Sequence, residues 1–392
     1  MNWSRQDLGM KNTRIYVDLL VFTCIFSLLL KQYVLLSVFS FLLIIALLQV
    51  HYYKKVGKKL ELINEKKRVR LIKDTTSHIV LTFQNKGLPI WNATLLISFQ
   101  SAIAPNGISN TTNAGFHEVK VPFSIGYKKS VKVKIPIIGI RRGLARIKQI
   151  EVQIPHPLTE GSVWLDFKPF ILMDAIVFPQ MYTIDEEFTP SKLKQGHLEL
   201  TSSLYDDPFF PIGTREYEPG DQFHHIHWKA SAKMQQLQTK VFTKVANVSV
   251  LFLVNVVEKY RVVEDFEEKI EWLASHIDAC YKEDIPFSFA INIRAYGKIP
   301  FVYLTIGSGD KHRIQALELL SLLSISDFFV PFERIITYIE THEELPVVVY
   351  VMTHELEKFL PLLTHWERRT NVLYRTDVSK GGNYDTSFYP PY

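Results

Sequence analysis

Two long apolar runs stand within the first fifty residues, and they restrict this chain's fold more than anything that follows. From Ile15 to Leu30 the only charged side chain is Asp18, and from Gln32 to Val50 there is none. A helix rises about 1.5 Å per residue, so about 20 apolar residues span the hydrocarbon core of a bilayer. The second run meets that length. The first meets it by recruiting Tyr16, Val17 and Asp18 near one interface. Only Lys31, Gln32 and Tyr33 separate the two, so residues 1–52 read as a helical hairpin crossing the bilayer twice. No small-residue cleavage pattern follows Leu30, which argues against a removable signal peptide.

The flanking charges orient the hairpin. Arg5, Lys11 and Arg14 precede it, and nine Lys and Arg residues between Lys54 and Lys73 follow it. Basic residues concentrate on the cytoplasmic side. The expectation is a multi-pass cell-membrane protein with both termini and its soluble part in the cytoplasm. The same residues explain the charge of the whole chain. Its net charge is +5, yet residues 51–73 alone carry nine bases and two acids. The basicity is a juxtamembrane collar facing a lipid bilayer with anionic headgroups, and no nucleic-acid partner is expected. The two cysteines, Cys24 in the first run and Cys280 far along the chain, form no disulfide framework and no thiolate metal site.

Beyond a basic stalk at 53–74, expected to prolong the second helix, the texture becomes β-rich. His78–Phe83, Thr94–Phe99, His117–Phe123 and Lys129–Ile135 are short strand-like runs separated by Gly, Pro and Asn turns. That pattern predicts a small β-sandwich over 75–180. A polar connector at 181–244 follows. At 245–376 continuous apolar runs such as Val248–Val254 and Pro346–Val351 alternate with helical spacing, as at Phe266–Lys282. Strands alternating with helices predict an α/β domain with helices on both faces of its sheet. Residues 377–392 read as a flexible tail.

The connector holds the densest set of special residues, from Gly213 to Lys233. Glu218-Pro219-Gly220-Asp221 fits a type II turn, in which Pro presets φ and Gly accepts φ > 0. Asp221 is placed to cap a helix starting at Gln222, on which His224, His227, Trp228 and Ser231 would share one face. Arg215 and Tyr217 arrive from an extended run, and Arg215, Asp221, Trp228 and Lys229 could close a compact polar cluster. A cation over the Trp228 ring would add about 0.5–2 kcal/mol. Two chemical alternatives use the His-rich helix. His224 and His227 could ligate a metal, but no HExxH-like pattern supplies a third ligand. Ser231 could pair with a histidine, but no nucleophile-elbow motif is present.

The residues Arg215, Tyr217, Pro219, Gly220 and Asp221, then Ile226, His227, Trp228 and Lys229, then Ser231 and Ala232, resemble the signature of the bacterial family called domain of unknown function 58. His224 stands where Arg is common in that signature, and Lys233 replaces a later Arg. The order of regions also resembles that of its YeaD-like membrane members. The resemblance implies a C-terminal domain similar to von Willebrand factor type A domains, Rossmann-like in build, and an association with MoxR-type AAA+ ATPases. Domains of that type often bind Mg²⁺ through an Asp-x-Ser-x-Ser loop after the first strand. This chain has Asn255-Val256-Val257-Glu258 there, so no cofactor or metal is expected. The expected function is a non-enzymatic, membrane-anchored interaction or assembly factor with no catalytic residues. Its signature residues Arg215, Tyr217, Pro219, Gly220, Asp221, His227, Trp228, Lys229 and Ser231 serve structure or partner docking. The alternative is a metal-dependent hydrolase or cell-envelope enzyme using the His-rich helix. A third reading, an envelope sensor, is weakened by how little of the chain would protrude outside the membrane.

Overall fold

The computed structural model of the chain describes residues 2–8, 10–63, 65–107, 110–113, 116–156, 161–184, 206–244, 249–259, 261–367 and 369–375. The expected tail at 377–392 and part of the expected connector, 185–205, lie outside the described residues. The chain divides into two compact units, Met1–Gln180 and Met181–Tyr392. It mixes α and β structure, with many strands and seven helices among the described residues.

The first unit opens with strand β1 (Trp3–Leu8), followed by helices α1 (Met10–Leu29) and α2 (Tyr33–Lys55). Lys31, at φ 58°, makes the turn between the helices. Among the described residues, α2 is the one helix long and apolar enough to cross a membrane, with 23 residues and a mean hydropathy of 2.5. Only Ala46 and Tyr53 along it are buried.

The charged stretch after α2 does not prolong the helix as a stalk. The helix ends at Val56, Gly57 takes φ +77°, and the chain enters β2 (Leu60–Ile63) and then β3 (Arg68–Ile72). Leu60 and Leu62 supply the reason. They alternate with exposed residues and bury one face of β2 in the core of the unit, while its edge pairs with β4 (Thr76–Asn85). The remaining strands of this unit are β5 (Ile90–Gln100), β6 (Ile103–Pro105), β7 (Asn110–Asn113), β8 (Phe116–Ile125), β9 (Ser130–Gly139), β10 (Gly143–Pro155), β11 (Ser162–Phe167) and β12 (Asp174–Phe178). They form two sheets. One runs β2-β4-β9-β6. The other runs β1-β11-β10-β5-β8-β7, with β12 pairing β10 and β3. Period-two alternation sends Ile79, Leu81 and Phe83 of β4 and Leu95, Ile97 and Phe99 of β5 into one shared core. Two mostly antiparallel sheets over a common core make a sandwich. Each of these buried side chains contributes about 1.5–3 kcal/mol of apolar burial.

The described part of the second unit begins with a two-stranded sheet of β13 (Asp206–Glu216) and β14 (Gln238–Lys244). Helix α3 (Trp228–Met234) lies in the excursion between them. The chain then enters β15 (Val250–Val254), the small hairpin β16 (Val257–Glu258) and β17 (Arg261–Val262), and α4 (Phe266–Lys282). Next come β18 (Phe287–Arg294), β19 (Phe301–Gly307), α5 (Gly309–Leu322), α6 (Phe332–His342), β20 (Val348–Met352), α7 (Leu356–Glu367) and β21 (Asn371–Arg375). The sheet order is β19-β18-β15-β20-β21, with β19 antiparallel to its neighbour and the other pairs parallel. All five residues of β15 and of β20 are buried. Both faces of the sheet are therefore covered. Leu251, Leu253, Val349 and Val351 pack with Ile335 and Ile339 of α6 and Leu363 of α7. On the opposite face Phe252 meets Trp272 edge-on at 5.8 Å and stacks on Tyr350 at 5.3 Å.

Candidate functional site

The signature residues form an excursion held between β13 and β14. The two strands pair Arg215 with Thr239 and Glu216 with Gln238. Tyr217 N–H donates to Leu237 O at 2.9 Å, which closes the base of the excursion. The turn at Glu218–Asp221 forms as the sequence predicts. Gly220 lies at φ +119° and Asp221 N–H donates to Glu218 O at 3.0 Å.

Asp221 is the hub of this turn, not a helix cap. One carboxylate oxygen accepts from Arg215 Nη2 at 2.6 Å. The other accepts from Glu218 N–H at 3.0 Å and from Thr239 Oγ1 at 2.9 Å. The Arg215 hydrogen bond, with help from the Glu218 amide, holds the Asp221 carboxyl down to about 2. Asp221 in turn raises the Arg215 pKa. The two side chains differ in exposure, 45% for Arg215 and 16% for Asp221, so the pair is half open to solvent.

The continuous helix expected from Gln222 does not form. A single 3₁₀ turn spans Phe223–His225, and Ile226 then adopts an extended conformation and bridges Thr239. Ile226 is 2% exposed, and His227 N–H donates to Gln238 O at 2.7 Å. Burying Ile226 against β14 costs the helix its continuity, and α3 begins two residues later, at Trp228. The N-cap of α3 is His227, whose Nδ1 accepts from Ala230 N–H at 3.1 Å. Ser231 donates to His227 O at 3.1 Å and accepts the buried Gln238 amide at 2.8 Å. Both groups that a nucleophile-and-base reading would need are thus committed to backbone partners.

What remains outward is apolar and basic. Trp228 is 64% exposed and Phe223 72%, and Lys229 is exposed beside Trp228. Arg215 turns to Asp221, so the expected cluster closes without the Trp228 ring. Pro219, Gly220 and His224 are exposed and Tyr217 is half-buried. Thr239, Gln238 and Ile226 complete the site; from the sequence Ile226 is named only within the signature, and Thr239 and Gln238 are not named. Gln238 and Thr239 carry no local signal, since their role exists only once β14 is paired on both sides.

A second polar centre lies at the carboxyl ends of β15, β18 and β20. There the strand order reverses, and open α/β sheets form a crevice at such a point. Asn255 Nδ2 donates to Thr353 Oγ1 at 3.0 Å, and Asn292 Nδ2 donates to Asn255 Oδ1 at 2.7 Å. Asn292 Oδ1 accepts from Val256 N–H at 2.8 Å. Lys269 of α4, fully buried, donates its ammonium to Asn255 O at 2.9 Å. A lysine on the apolar stripe of a helix, between Phe266 and Ile270, was the available sequence signal. Among the described residues, the side chains bonded to one another here are two amides and a hydroxyl beside a resident ammonium, with no carboxylate oxygen bonded to them. Hard divalent cations need oxygen ligands carrying negative charge, so these residues do not fit one. Among the described residues no group of three or more His, Cys, Asp or Glu is placed to hold a metal ion.

Residues 213–279 match the family model described as "Protein of unknown function DUF58". The matched segment begins in β13, takes in the whole excursion and β15, and ends within α4. The match supports that family for this chain. No curated protein matches it. Among solved structures, similarity is found to the PapD-like domain 7 of human CEP192, at 15% identity over 30% of this chain and 84% of that one, with a TM-score of 0.16. The third ScaB cohesin of R. flavefaciens, solved with a group 1 dockerin, gives 11% identity over 31% and 96%, with a TM-score of 0.19. A non-cellulosomal cohesin from the archaeon Archaeoglobus fulgidus gives 8% over 36% and 99%, at 0.20. Likenesses at these TM-scores carry no argument about this chain.

Proposed function

We propose that this chain is a YeaD-like, membrane-anchored interaction or assembly factor that docks a cytosolic protein through the Trp228 face of its signature excursion. The observation that carries this reading is the division of labour within the excursion. Arg215, Asp221, His227 and Ser231 bond inward, while Trp228 and Phe223 stand in solvent beside Lys229. Exposed aromatics next to cations are the residue types that anchor protein interfaces. The partner implied by the family resemblance is a MoxR-type AAA+ ATPase. The sheet order β19-β18-β15-β20-β21 supports the von Willebrand factor type A-like reading of the α/β part.

The anchor is a two-helix membrane hairpin with both flanks in the cytoplasm. Support comes from the ends of the hairpin. β1, before α1, pairs with β11 of the sandwich, and Arg5 donates to the carbonyls of Lys54 and Val56 at the close of α2. Flanks bonded to each other lie on one side of a bilayer, which requires an even number of crossings.

The test is a photocrosslinking residue placed at Lys229 of the full chain in its native membrane. Capture of a MoxR-type ATPase, lost in Trp228→Ala and retained in Trp228→Phe, is the expected result. An intact, membrane-resident chain that captures no such ATPase refutes the reading.

A further inference from the structure

At the foot of α2 the first unit contains a cavity of about 600 Å³ whose lining joins apolar and basic residues. That volume lies within the range of small-molecule sites, about 300–1,000 Å³. Its apolar wall includes Leu60 and Leu165, which are 3% and 1% exposed. Gly57 is part of the lining. Its left-handed φ of +77° ends the helical course, and a Cβ there would lie 2.5 Å from Leu165 Cδ1. The next two residues, Lys58 and Lys59, line the cavity and are exposed.

The cations around the cavity are not equivalent. Arg5 is spent on the carbonyls that end α2. Lys86 bonds Glu61 at 2.7 Å. Lys58 and Lys59 form no side-chain hydrogen bond or ion pair among the described residues. The site thus offers two uncompensated ammonium groups beside an apolar wall, at the point where the apolar helix α2 meets the β-domain. A free anion uses the ammonium groups and leaves the wall unused. A phosphate ester attached to an apolar body uses both.

We propose that this cavity binds the phosphate of an anionic phospholipid, with Lys58 and Lys59 on the phosphate and the apolar wall at Leu60 and Leu165 against the start of an acyl chain. The site rests on the membrane-anchored reading above. It goes beyond the diffuse attraction of the basic collar, because it assigns one lipid to one cavity.

The experiment uses the full chain in mixed phosphatidylglycerol and phosphatidylcholine vesicles, extracted gently and weighed by native mass spectrometry. The wild type retains one phosphatidylglycerol in preference to phosphatidylcholine. The double variant Lys58→Gln/Lys59→Gln loses that retention by about 30-fold, from two lysines acting near the headgroup level. Lys54→Gln/Lys55→Gln removes the same charge from the last turn of α2, outside the cavity lining, and keeps it. Equal loss in both double variants overturns the site in favour of general collar electrostatics. Inorganic phosphate that binds as tightly as the lipid overturns the lipid assignment. Unchanged hydrogen exchange in β2 and β4 verifies that the variants fold. A chain that stays in vesicles through an alkaline wash but shows no lipid preference sinks this inference alone. A chain released by the wash sinks the membrane reading with it.

Discussion

Ser231→Ala tests whether the signature excursion is architecture within. The hydroxyl makes two bonds of unequal consequence. Its donation to His227 O at 3.1 Å is dispensable, because that carbonyl also receives Ser231 N–H at 2.9 Å. Its acceptance of Gln238 N–H at 2.8 Å is not, because Gln238 is 6% exposed and water reaches its amide poorly. Removing the acceptor strands a buried donor, at a cost of about 1–3 kcal/mol. At about 1.36 kcal/mol per decade, the opening equilibrium of this hairpin shifts by about 5- to 160-fold. The assay is native-state hydrogen exchange, which reads local opening without requiring two-state unfolding of a two-unit chain. Protection at Gln238 and its β14 neighbours falls by that factor. The control is Ser321→Ala. Ser321 is also buried, but its hydroxyl only donates, to Leu317 O at 2.7 Å within α5. Its loss strands no donor, so protection there changes little. Protection at Gln238 that survives Ser231→Ala within about twofold, under 0.5 kcal/mol by the same conversion, refutes the reasoning.

Three further outcomes follow from named contacts. Gly57→Ala forces a Cβ into a left-handed position costing about 1–2 kcal/mol, on top of the 2.5 Å approach to Leu165. The melting temperature of the full chain in detergent falls, and an unchanged melt contradicts the geometry. The Asp221 carboxyl, held down to about 2 chiefly by Arg215, titrates near that value by NMR and moves up toward about 3.9 in Arg215→Gln. Because its folded pKa is depressed, its contribution is present above about 3.9 and disappears as the pH falls toward 2. Burial against Trp272, Phe252 and Tyr350 pushes the His276 pKa down to about 3. Unfolding lets this histidine take up a proton, so between about pH 6.5 and 3 stability drops with falling pH by up to about 1.4 kcal/mol per unit. Denaturant midpoints at pH 6.5 and 4.5 converge in His276→Phe if this is right, and keep the wild-type difference if it is not.

Legibility tracked how local each interaction is. Helix α4 forms over Phe266–Lys282 as its spacing predicts, because Ile270, Leu273, Ile277 and Cys280 mark one face within a single helix. The Pro219-Gly220 turn is equally local. Strand β1 left no trace, since Trp-Ser-Arg-Gln-Asp-Leu neither alternates nor is rich in β-formers. It becomes a strand only because β11, more than 150 residues later, offers an edge, with Trp3 opposite Phe167. The break at Ile226 is of the same kind. Residues 222–231 have helical spacing, but one isoleucine gains more by docking on Thr239 than by continuing a helix.

That break also decides what the excursion can present. In a continuous helix His224, His227, Trp228 and Ser231 would share one face, and a polar face of that kind suits metal or nucleophilic chemistry. Interrupting the helix at Ile226 separates them. His227 becomes a cap and Ser231 a buried strut, while His224 stays in the 3₁₀ turn and Trp228 opens the new helix in solvent. His227 and Ser231 are committed to backbone partners, while Phe223, His224, Trp228 and Lys229 are left exposed. The face that the proposed docking role relies on is therefore set by the position of a single buried isoleucine.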